Sequence, residues 1–509
     1  MISGKSLAPC LSVLGTGSDV GKSIVVTALC RILSNRGIRV APYKAQNMSN
    51  NSGVTPEGME MGRAQIVQAE ACRIPPHVDM NPILLKPTSD IGSQVVVLGE
   101  AVANQSAREY HQHKESLFST ACLALDRLRE SYDVVILEGA GSCAEVNLMP
   151  QDIVNFRMAE YAQAPVILVG DIHRGGIFAQ LIGTLACLPP AWQDRIIGFI
   201  INRFRGDISL FADGTRWIES RSGKTVLGVL PWVNHLGVAA EDSVVIENPV
   251  KPLLDTDPRP AIGIIRTPHI SNFTDFDPLT QISGISTSFI EQPQELSRFN
   301  AVILPGSKNT CFDLKWLHHS GWSAILKDYS ARGGHVLGIC GGYQMLGIRV
   351  HDPDGLEGAP GSTDGLGLLA VETVLKAPKT TTLSTFEWNG VIGKGYEIHM
   401  GQTRLLAGSP LLTITERSAN ACHEADGART GDNAVLGTYI HGIFDTPGIT
   451  RLWFDQIGLG LVPVSTDQGF VERDLAYDRL AEHFKSHVNI DAIFSALPIY
   501  TADGHKLDL

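Results

Sequence analysis

Short apolar stretches rich in β-branched residues recur along the first half of the chain, and they constrain its fold more than any other feature. Segments long enough for helices separate several of them. Continuous apolar strands that alternate with helices are typical of a parallel sheet covered on both faces. We therefore predict a doubly wound α/β domain. The stretches are 11–15 (LSVLG), 133–139 (DVVILEG), 165–171 (PVILVGD), 196–202 (IIGFIIN) and 225–231 (TVLGVLP).

A proline-rich segment interrupts this pattern near the middle of the chain. Residues 247–260 hold four prolines and few strand formers, which is typical of an interdomain linker. The same alternation resumes afterwards, so a second α/β domain is expected. Since a domain has roughly 100–200 residues, the 509 residues divide into predicted domains 1–250 and 258–509. The later strand candidates are 261–266 (AIGIIR), 301–306 (AVILPG), 335–340 (HVLGIC) and 434–442 (AVLGTYIHG).

The composition argues against several classes of protein. The formal net charge is −12 and no long basic stripe offsets it, which disfavours binding to nucleic acids. No apolar run approaches the roughly 18 residues of a membrane-spanning helix, and the first apolar segment is interpreted as a buried strand rather than a signal peptide. The nine cysteines form no CxxC pair, which fits free thiols in a reducing compartment. We expect a cytoplasmic protein without nucleic-acid or membrane partners.

A glycine-rich loop follows the first strand candidate. Residues 15–23 read GTGSDVGKS and lead into a helical pattern. Such a loop presents backbone N–H groups to phosphate oxygens, and the helix N-terminus adds favourable partial charge. Lys22 is expected to reach the terminal phosphates, and the Ser23 hydroxyl is expected to bind Mg²⁺. The loop therefore predicts a site for a nucleotide triphosphate such as ATP.

The loop is a variant of the usual phosphate-binding pattern. The strict spacing would place a glycine at Thr16, but the glycine lies one position earlier, at Gly15. We expect Thr16, Gly17 and Gly21 to contribute to the nucleotide site together with the two residues that follow. The alternative is a glycine turn that binds nothing, which the GKS sequence between a strand and a helix disfavours.

Two acidic residues end strand candidates of the same domain. Glu138 closes 133–139, and Asp171 closes 165–171. Ligands of open α/β sheets bind at the carboxyl ends of the strands, and carboxylate oxygens suit Mg²⁺. We favour Glu138 as a residue linked to the metal. For either residue alone, a solvated or capping carboxylate is an equally good interpretation.

The second domain carries a cysteine in a strand–turn–helix pattern. Residues 338–346 read GICGGYQML, and the small neighbours of Cys340 permit a tight turn that presents the thiol at the N-terminus of a helix. The N–H group of Gly341 can then stabilise an oxyanion. His441 follows another strand candidate and is the expected base. The alternatives are a buried structural cysteine and a structural histidine, and we assign those roles to the other cysteines and histidines.

Several stretches resemble known families. GICGGYQMLG and GTYIHGIFD resemble the nucleophile and histidine motifs of class I glutamine amidotransferases, and the phosphate loop resembles that of dethiobiotin synthetase-like ligases. The combination is similar to the cobyric acid synthase family over most of the chain. The stretches that carry this resemblance are 43–52 (YKAQNMSNNS), 57–87, 93–99 (SQVVVLG), 137–148 (LEGAGSCAEVNL), 201–207 (INRFRGD), 304–310 (LPGSKNT) and 395–401 (GYEIHMG).

The resemblance implies a reaction. The Cys340 thiol would attack the side-chain amide of glutamine and release ammonia. The first domain would use MgATP to phosphorylate a carboxylate of adenosylcobyrinic acid a,c-diamide, and ammonia would displace the phosphate. Four propionate side chains, b, d, e and g, would be amidated in this way. The implied partners are the corrinoid, glutamine and ATP.

The stretch 43–52 follows the second strand candidate of the first domain. Lys44 can meet the γ-phosphate of the nucleotide or a substrate carboxylate, and neighbouring amides offer hydrogen bonds. The alternative is a surface loop, which is the commoner meaning of such composition. A further amide, Asn202, closes 196–202 and is a candidate to read the nucleotide base. The amide residues assigned to the substrate are Gln46, Asn47 and Asn51.

The sequence departs from the patterns of these families at three positions. Class I amidotransferases usually carry glutamate two residues after the histidine, but Ile443 stands there, and Asp445 is the nearest downstream acid. The resembled family also lacks that glutamate, so a backbone carbonyl or a distant acid is expected to orient the base. His173 replaces an aspartate of the family pattern, and Arg203 replaces a lysine, which exchanges a point charge for a planar fork.

Three other functions fit part of the pattern. A partitioning or regulatory P-loop ATPase would not need the intact motif around Cys340. Another amidoligase on the same plan, such as cobyrinic acid a,c-diamide synthase, matches 43–52 and MNPILLKP (80–87) less well. A non-catalytic corrinoid-binding module would need neither the phosphate loop nor the thiol.

Overall fold

The computed structural model describes residues 7–89, 92–106, 113–233, 257–465 and 470–498. Most of the predicted linker, residues 247–256, lies outside them. Two parallel sheets dominate the fold, and helices cover each of them, so the predicted class of two doubly wound α/β domains is confirmed. Within the described part of the chain, no helix combines the length and apolar character that crossing a bilayer requires.

The first sheet has six parallel strands. It contains all five strands predicted for the first half, and every hydrogen-bonded neighbour is parallel. The strand that precedes the phosphate loop lies inside the sheet, so the loop sits at the carboxyl edge where ligands bind in such folds. From edge to edge the strands are Thr225–Pro231, Ile196–Phe204, Val166–Asp171, Cys10–Gly15, Val134–Glu138 and Val40–Tyr43.

Helices and a small sheet surround the first sheet. Its strands are almost fully buried, which explains why they read as continuous apolar runs. The helices are Lys22–Asn35, Arg63–Ala71, Lys114–Ser131, Phe156–Tyr161, Ile177–Cys187, Pro190–Arg195 and Ala212–Ser222, with 3₁₀ turns at Val78–Met80, Met149–Gln151 and Ile208–Phe211. The additional strands are Gln46–Met48, Ile83–Ser89, Gly92–Val97 and Glu100–Ser106 in one sheet, and Ser52–Val54 with Glu60–Gly62 in another.

The second sheet repeats this plan with one antiparallel edge. All four predicted strands are present in it. From edge to edge the strands are Ser286–Ile290, Ala261–Ile265, Ala301–Leu304, His335–Ile339, Val435–Thr438 and the antiparallel Ala428–Arg429. The helices of this half are Asp277–Thr280, Thr310–His319, Trp322–Ala331, Gly341–Leu346 and Pro447–Gln456, and 3₁₀ turns occupy Phe273–Phe276 and Ile443–Asp445.

Mostly antiparallel strands, which were not predicted from the sequence, fill the region between residues 349 and 426. They form two four-stranded sheets beside the main sheet, and a short ladder lies nearby. The first contains Gly361–Asp364, Arg349–Asp352, Val371–Val374 and Gln402–Leu405; the second contains Val391–His399, Thr380–Trp388, Leu412–Arg417 and Asn420–Asp426; the ladder pairs Ile270–Ser271 with Gly306–Ser307.

Two helices near the end of the described chain return to the first domain. The helices Phe470–Lys485 and Ile490–Ser495 fall within the predicted second domain, yet they pack on one face of the first sheet, where Phe484 joins its apolar core. Arg31 of the first domain is fully buried against them and pairs with Asp474 at 2.7 Å. The predicted boundary at 258–509 therefore differs from the packing, because the apolar faces of these helices are covered by the first sheet.

Candidate functional site

The phosphate loop is held by close packing between its backbone and a neighbouring strand. Gly21 caps the helix Lys22–Asn35 with φ +96°, and a Cβ atom there would lie 2.0 Å from Nδ2 of Asn202. Only glycine suits this position, because it tolerates the left-handed conformation and leaves room for the amide. Asn202 in turn donates to the carbonyl oxygen of Val20 at 2.9 Å. The predicted nucleotide residues Gly21 and Asn202 are therefore in contact.

Lys22 folds back over the loop. Its Nζ donates to the carbonyl oxygens of Gly17 at 2.9 Å and Gly141 at 3.0 Å. The ammonium group is thus held beside the helix N-terminus, where phosphate oxygens are favoured. Thr16 does not line the cavity of about 1430 Å³ that adjoins the phosphate loop. Its Oγ1 donates to Oε1 of Gln180 at 3.4 Å.

Glu138 is a buried carboxylate next to the phosphate loop. Its Oε1 accepts hydrogen bonds from Oγ of Ser23 at 2.9 Å and from Nζ of Lys44 at 2.8 Å, while Gln68 donates to Oε2. Burial disfavours the charged carboxylate, but the Lys44 ammonium outweighs it and holds the pKa of Glu138 below its ordinary value. The Glu138 carboxylate therefore stays ionised.

The pair Ser23 and Glu138 offers hydroxyl and carboxylate oxygens close together. These are the hard ligands that Mg²⁺ prefers, and that ion usually needs only one or two protein ligands because phosphates and water complete its coordination. Within the described residues, no group of three or more His, Cys, Asp or Glu side chains is arranged to hold a metal alone. The two predicted residues fit a magnesium ion that arrives with a nucleotide.

Two residues of the first domain that depart from the family pattern, Arg203 and His173, both contact Asp171 at the carboxyl edge of the first sheet. The planar fork of Arg203 bridges Asp19 of the phosphate loop at 2.7 Å and Asp171 at 3.0 Å, so the arginine ties the loop to a strand end. His173 donates its backbone N–H to Asp171 at 2.7 Å, and its ring packs against Trp232 with centroids 5.0 Å apart.

The residues predicted to bind the acceptor divide into two groups. Lys44, Gln46 and Asn47 line the large cavity described below. Asn51 is not among its lining residues; its side chain is 1% exposed and accepts a hydrogen bond from the backbone N–H of Phe273 in the second domain. Asn51 therefore lies at a contact between the domains.

Cys340 occupies a sharp turn between a strand and a helix. It has φ +52° and ψ −109°, which few non-glycine residues adopt, and such strain costs about 1–3 kcal/mol and is concentrated at functional positions. The strand His335–Ile339 precedes it and the helix Gly341–Leu346 follows. A Cβ atom at Gly342 would lie 2.0 Å from the carbonyl oxygen of Leu304, so the turn needs glycine there.

Gly341 lies against the loop that follows another strand of the same sheet. A Cβ atom at Gly341 would approach the backbone nitrogen of Ser307 to 2.7 Å. The backbone of the short segment Gly306–Ser307 therefore passes directly beside the turn that holds Cys340.

His441 and Asp275 lie beside the thiol. The Cys340 sulfur is close enough to the His441 ring to raise the pKa of the imidazole. Nδ1 of His441 contacts Oδ2 of Asp275 at 2.6 Å. The other oxygen of Asp275 accepts the N–H of Gly442 at 3.0 Å, and Tyr396 stacks on the imidazole. Cys340 is 6% exposed and His441 is 1% exposed. The three side chains form a buried chain of thiol, imidazole and carboxylate.

The carboxylate determines the proton affinity of the imidazole. Burial alone lowers the pKa of His441, but the charge of Asp275 and then the sulfur of Cys340 outweigh burial and raise that pKa to about 10. An imidazole with this pKa is protonated at neutral pH, and a protonated imidazole beside a cysteine is the arrangement that favours a thiol nucleophile.

Asp275 was not predicted from the sequence. This residue lies 166 positions before His441, and no motif marks it. Asp445, the nearest downstream acid, instead pairs with Arg473 at 3.4 Å. Ile443, which stands where related enzymes carry glutamate, is fully buried in the apolar core. The acid is thus supplied by the 3₁₀ turn Phe273–Phe276, which is the distant source left open by the sequence.

A cavity of about 1430 Å³ connects the two groups of residues. Its lining includes Lys22 and Ser23 of the phosphate loop together with Lys44. The lining also includes Asp275 and Tyr396, which both contact His441. The cavity has the size expected for a large organic ligand.

Two family models match the two parts of the chain separately. Residues 11–244 match a family described as the CobQ/CobB/MinD/ParA nucleotide binding domain, and residues 261–448 match the CobB/CobQ-like glutamine amidotransferase domain. Among solved structures, a crystal structure of a glutamine amidotransferase is 18% identical with a TM-score of 0.30, and it covers 39% of this chain and 98% of its own.

Curated relatives match nearly the whole chain. Cobyric acid synthase of Chlorobium phaeobacteroides (strain BS1) is 52% identical over 495 residues, which cover 96% of this chain and 99% of the relative. Cobyric acid synthase of Chlorobaculum tepidum is 49% identical over 489 residues, which cover 95% and 97%. With both domain families present in the same order, the chain belongs to the cobyric acid synthase family of glutamine amidotransferases.

Proposed function

We propose that this enzyme amidates the b, d, e and g propionate carboxylates of adenosylcobyrinic acid a,c-diamide, using glutamine as the nitrogen donor and ATP as the activating nucleotide. The product is adenosylcobyric acid. The single observation that carries the proposal is the cavity whose lining joins the phosphate loop to the wall beside His441. A bulky acceptor bound in this cavity contacts the phosphate loop, and ammonia is released next to Asp275 and Tyr396, which also line the cavity.

The thiol half releases ammonia. The Cys340 thiolate attacks the side-chain carbonyl of glutamine, and His441 gives its proton to the departing ammonia. The backbone N–H of Gly341 stabilises the oxyanion, and Asp275 keeps the imidazole in the correct orientation. Water then hydrolyses the thioester to glutamate and regenerates the thiol.

The nucleotide half activates the acceptor. A carboxylate oxygen of the corrinoid attacks the γ-phosphorus of ATP, ADP leaves, and ammonia later displaces phosphate from the acyl carbon. Lys22 and the loop around Gly17 and Gly21 hold the phosphates, and positioning with charge stabilisation accounts for most of the catalysis. Mg²⁺ at Ser23 and Glu138 would neutralise phosphate charge when bound.

Other side chains of the first domain position the two reactants. Lys44 and the amides of Gln46 and Asn47 are assigned to the acceptor or the transferred phosphoryl group, since they line the cavity beside the loop. Thr16 and Asn202 shape the nucleotide site through the loop backbone. We place the protein in the cytoplasm, where its nine free cysteines stay reduced.

An amidation assay tests the proposal directly. Purified enzyme receives MgATP, glutamine and the a,c-diamide, and mass spectrometry follows the corrinoid. Each conversion of a carboxylate to an amide replaces OH by NH₂, so we expect stepwise mass decreases of about 1 Da, up to four per molecule. ADP and glutamate should each appear in equal number to the amides formed.

The matched control replaces the a,c-diamide by cobyrinic acid without amides. Preferential amidation of that compound at its a and c positions would contradict the proposal and would favour cobyrinic acid a,c-diamide synthase. Glutamine hydrolysis without any change in either corrinoid would also contradict it.

The substitution Asp275→Asn should narrow the pH range of glutamine hydrolysis. Loss of the carboxylate charge disfavours the imidazolium, so the pKa of His441 falls from about 10 and the alkaline limb of kcat/KM moves to lower pH. Because loss of the buried acid in a serine triad costs about 10⁴-fold, we expect glutaminase kcat to fall at least about 10²-fold. Glutamate release measured across the pH range provides both values.

The control for this substitution is Asp445→Asn, because Asp445 pairs with Arg473 rather than with His441. For Asp445→Asn, the alkaline limb of kcat/KM for glutamine hydrolysis should coincide with that of the unmodified enzyme. An alkaline limb that stays in place in Asp275→Asn, or that moves equally in both variants, would remove Asp275 from the proposed role.

A further inference from the structure

We propose that Asn51 and Asn272 form a reciprocal hydrogen-bond clasp that positions Asp275 against His441, so that the thiol site depends on the loop bordering the acceptor cavity. This inference rests on the proposed function. It assigns Asn51 and Asn272 as positioning residues, since neither touches glutamine or the reacting atoms in the mechanism above.

The clasp consists of two hydrogen bonds that run in opposite directions between the domains. Oδ1 of Asn51 accepts the backbone N–H of Phe273 at 3.0 Å, and Oδ1 of Asn272 accepts the backbone N–H of Ser52 at 3.0 Å. Asn51 is 1% exposed and Asn272 is 3% exposed. Because a buried N–H without an acceptor is destabilising, breaking either bond favours displacement of the backbone that carries it.

Asp275 follows the clasp directly. Asn272 caps the 3₁₀ turn Phe273–Phe276, and its carbonyl oxygen accepts the N–H of Asp275 at 3.0 Å. The clasp therefore holds the first residues of the turn whose third residue contacts His441. A turn of four residues has little internal stiffness, so its contacts with neighbouring segments determine where the carboxylate lies.

The other end of the clasp leads to the acceptor cavity. The strand Gln46–Met48, which lines the cavity, ends three residues before Asn51. The carbonyl oxygen of Asn51 also accepts the N–H of Arg63, a cavity-lining residue at the start of a helix. A ligand that shifts these elements shifts the clasp, and the clasp shifts Asp275.

The backbone conformation of Asn272 and the hydrogen bonding of Asn51 favour a positioning role for both residues over a role in packing alone. Asn272 has φ +52°, a left-handed conformation that asparagine tolerates better than most residues, and its side chain still reaches the other domain. The side chain of Asn51 makes one hydrogen bond, to Phe273, and its Nδ2 is buried without a partner in the described structure. Rotating that amide would place two donors together, so the orientation seen is the only favourable one.

The test is glutamine hydrolysis by the full chain, measured as glutamate release without ATP or corrinoid. Asn272→Gly keeps the left-handed backbone but removes the acceptor for Ser52. Since a displacement near 1 Å can cost about 10²-fold, we expect kcat to fall about 10- to 100-fold while KM for glutamine changes less than about twofold. Amidation with added ammonia should stay within about twofold of the unmodified enzyme, because the acceptor and nucleotide residues are unchanged.

The pH profile separates positioning from a general loss of structure. The titratable groups that face His441 are Asp275 from the 3₁₀ turn, Cys340 from the strand–helix turn and Tyr396 from a hairpin strand. Burial raises the pKa of Tyr396 well above its ordinary value, so that phenol stays neutral. A displaced Asp275 therefore lowers the alkaline limb of kcat/KM, as in Asp275→Asn, whereas a merely structural change leaves the limb in place.

Three further variants complete the experiment. Asn272→Asp keeps an acceptor for Ser52 and tolerates the same backbone, so it should restore most of the glutaminase activity. Asn389→Gly is the matched control, since Asn389 has φ +48° in a hairpin turn and should leave the activity unchanged. Asn51→Leu removes the other bond of the clasp without changing side-chain volume greatly, and its glutaminase kcat and alkaline limb should fall in the same way.

Specific outcomes would overturn the clasp. Glutaminase kcat within about twofold of the unmodified enzyme in both Asn272→Gly and Asn51→Leu would do so, and so would a loss of kcat with an unmoved alkaline limb. Failure of the proposed function is a separate result: the unmodified enzyme would then hydrolyse glutamine without amidating the a,c-diamide.

Discussion

The substitution Cys340→Ala is expected to abolish amidation with glutamine and to leave amidation with ammonia. The thiol is the only nucleophile in the proposed glutaminase half, and removing the nucleophile of a catalytic triad costs about 10⁶-fold, so we expect glutamine-dependent turnover to fall at least about 10⁴-fold. Ammonia bypasses that half and needs only the phosphate loop and the acceptor residues. Corrinoid mass spectra with each nitrogen source provide the measurement.

The matched control is Cys422→Ala, which removes another free cysteine of the same domain, in the strand Asn420–Asp426. It should retain both activities. The assignment of Cys340 would be wrong if a folded Cys340→Ala enzyme still used glutamine, and the division of labour would be wrong if added ammonia failed to rescue it.

The substitution Lys22→Ala is expected to stop amidation from either nitrogen source. The ammonium group neutralises phosphate charge during transfer, and loss of one such electrostatic contact costs about 10²- to 10³-fold. Glutamine hydrolysis by itself should continue, because Lys22 takes no part in the proposed reaction of Cys340, His441 and Asp275. Coupled assays of ADP, glutamate and amide formation distinguish these steps.

Lys485→Ala serves as the control for this prediction, since Lys485 pairs with Glu482 on the surface of a helix at 2.8 Å. Its amidation rate should equal that of the unmodified enzyme. If ammonia-driven amidation by Lys22→Ala were unchanged, the phosphate loop would have no part in the mechanism.

The sequence predicts the two sheets well because their strands are buried on both faces. Such strands must be apolar along their whole length, and Val134–Glu138 and Val166–Asp171 therefore stand out locally. The hairpins between residues 349 and 426 were not predicted, since strands such as Thr380–Trp388 are only half buried and carry many polar residues. Buried and more exposed positions alternate along Thr380–Trp388, so no continuous apolar run marks that strand in the sequence.

The site was predictable where one short segment contains all its chemistry. The turn around Cys340 and the loop that holds Lys22 each place the functional side chain between a strand and a helix within a few residues. Asp275 could not be predicted in this way, because its role arises only when the fold brings its 3₁₀ turn to His441. The fork of Arg203 onto Asp19 and Asp171 is likewise a tertiary contact, although the planar guanidinium was recognised in the sequence.

The return of the helix Phe470–Lys485 to the first sheet has a consequence for biosynthesis of the protein. Side chains such as Phe484 complete an apolar core whose sheet was made before residue 233, more than two hundred residues earlier. At about 5–20 residues per second, the ribosome needs roughly 10–50 s to supply them. During that interval one face of the nascent first sheet lacks part of its apolar cover, so the first domain completes its core only after the second domain has been synthesised.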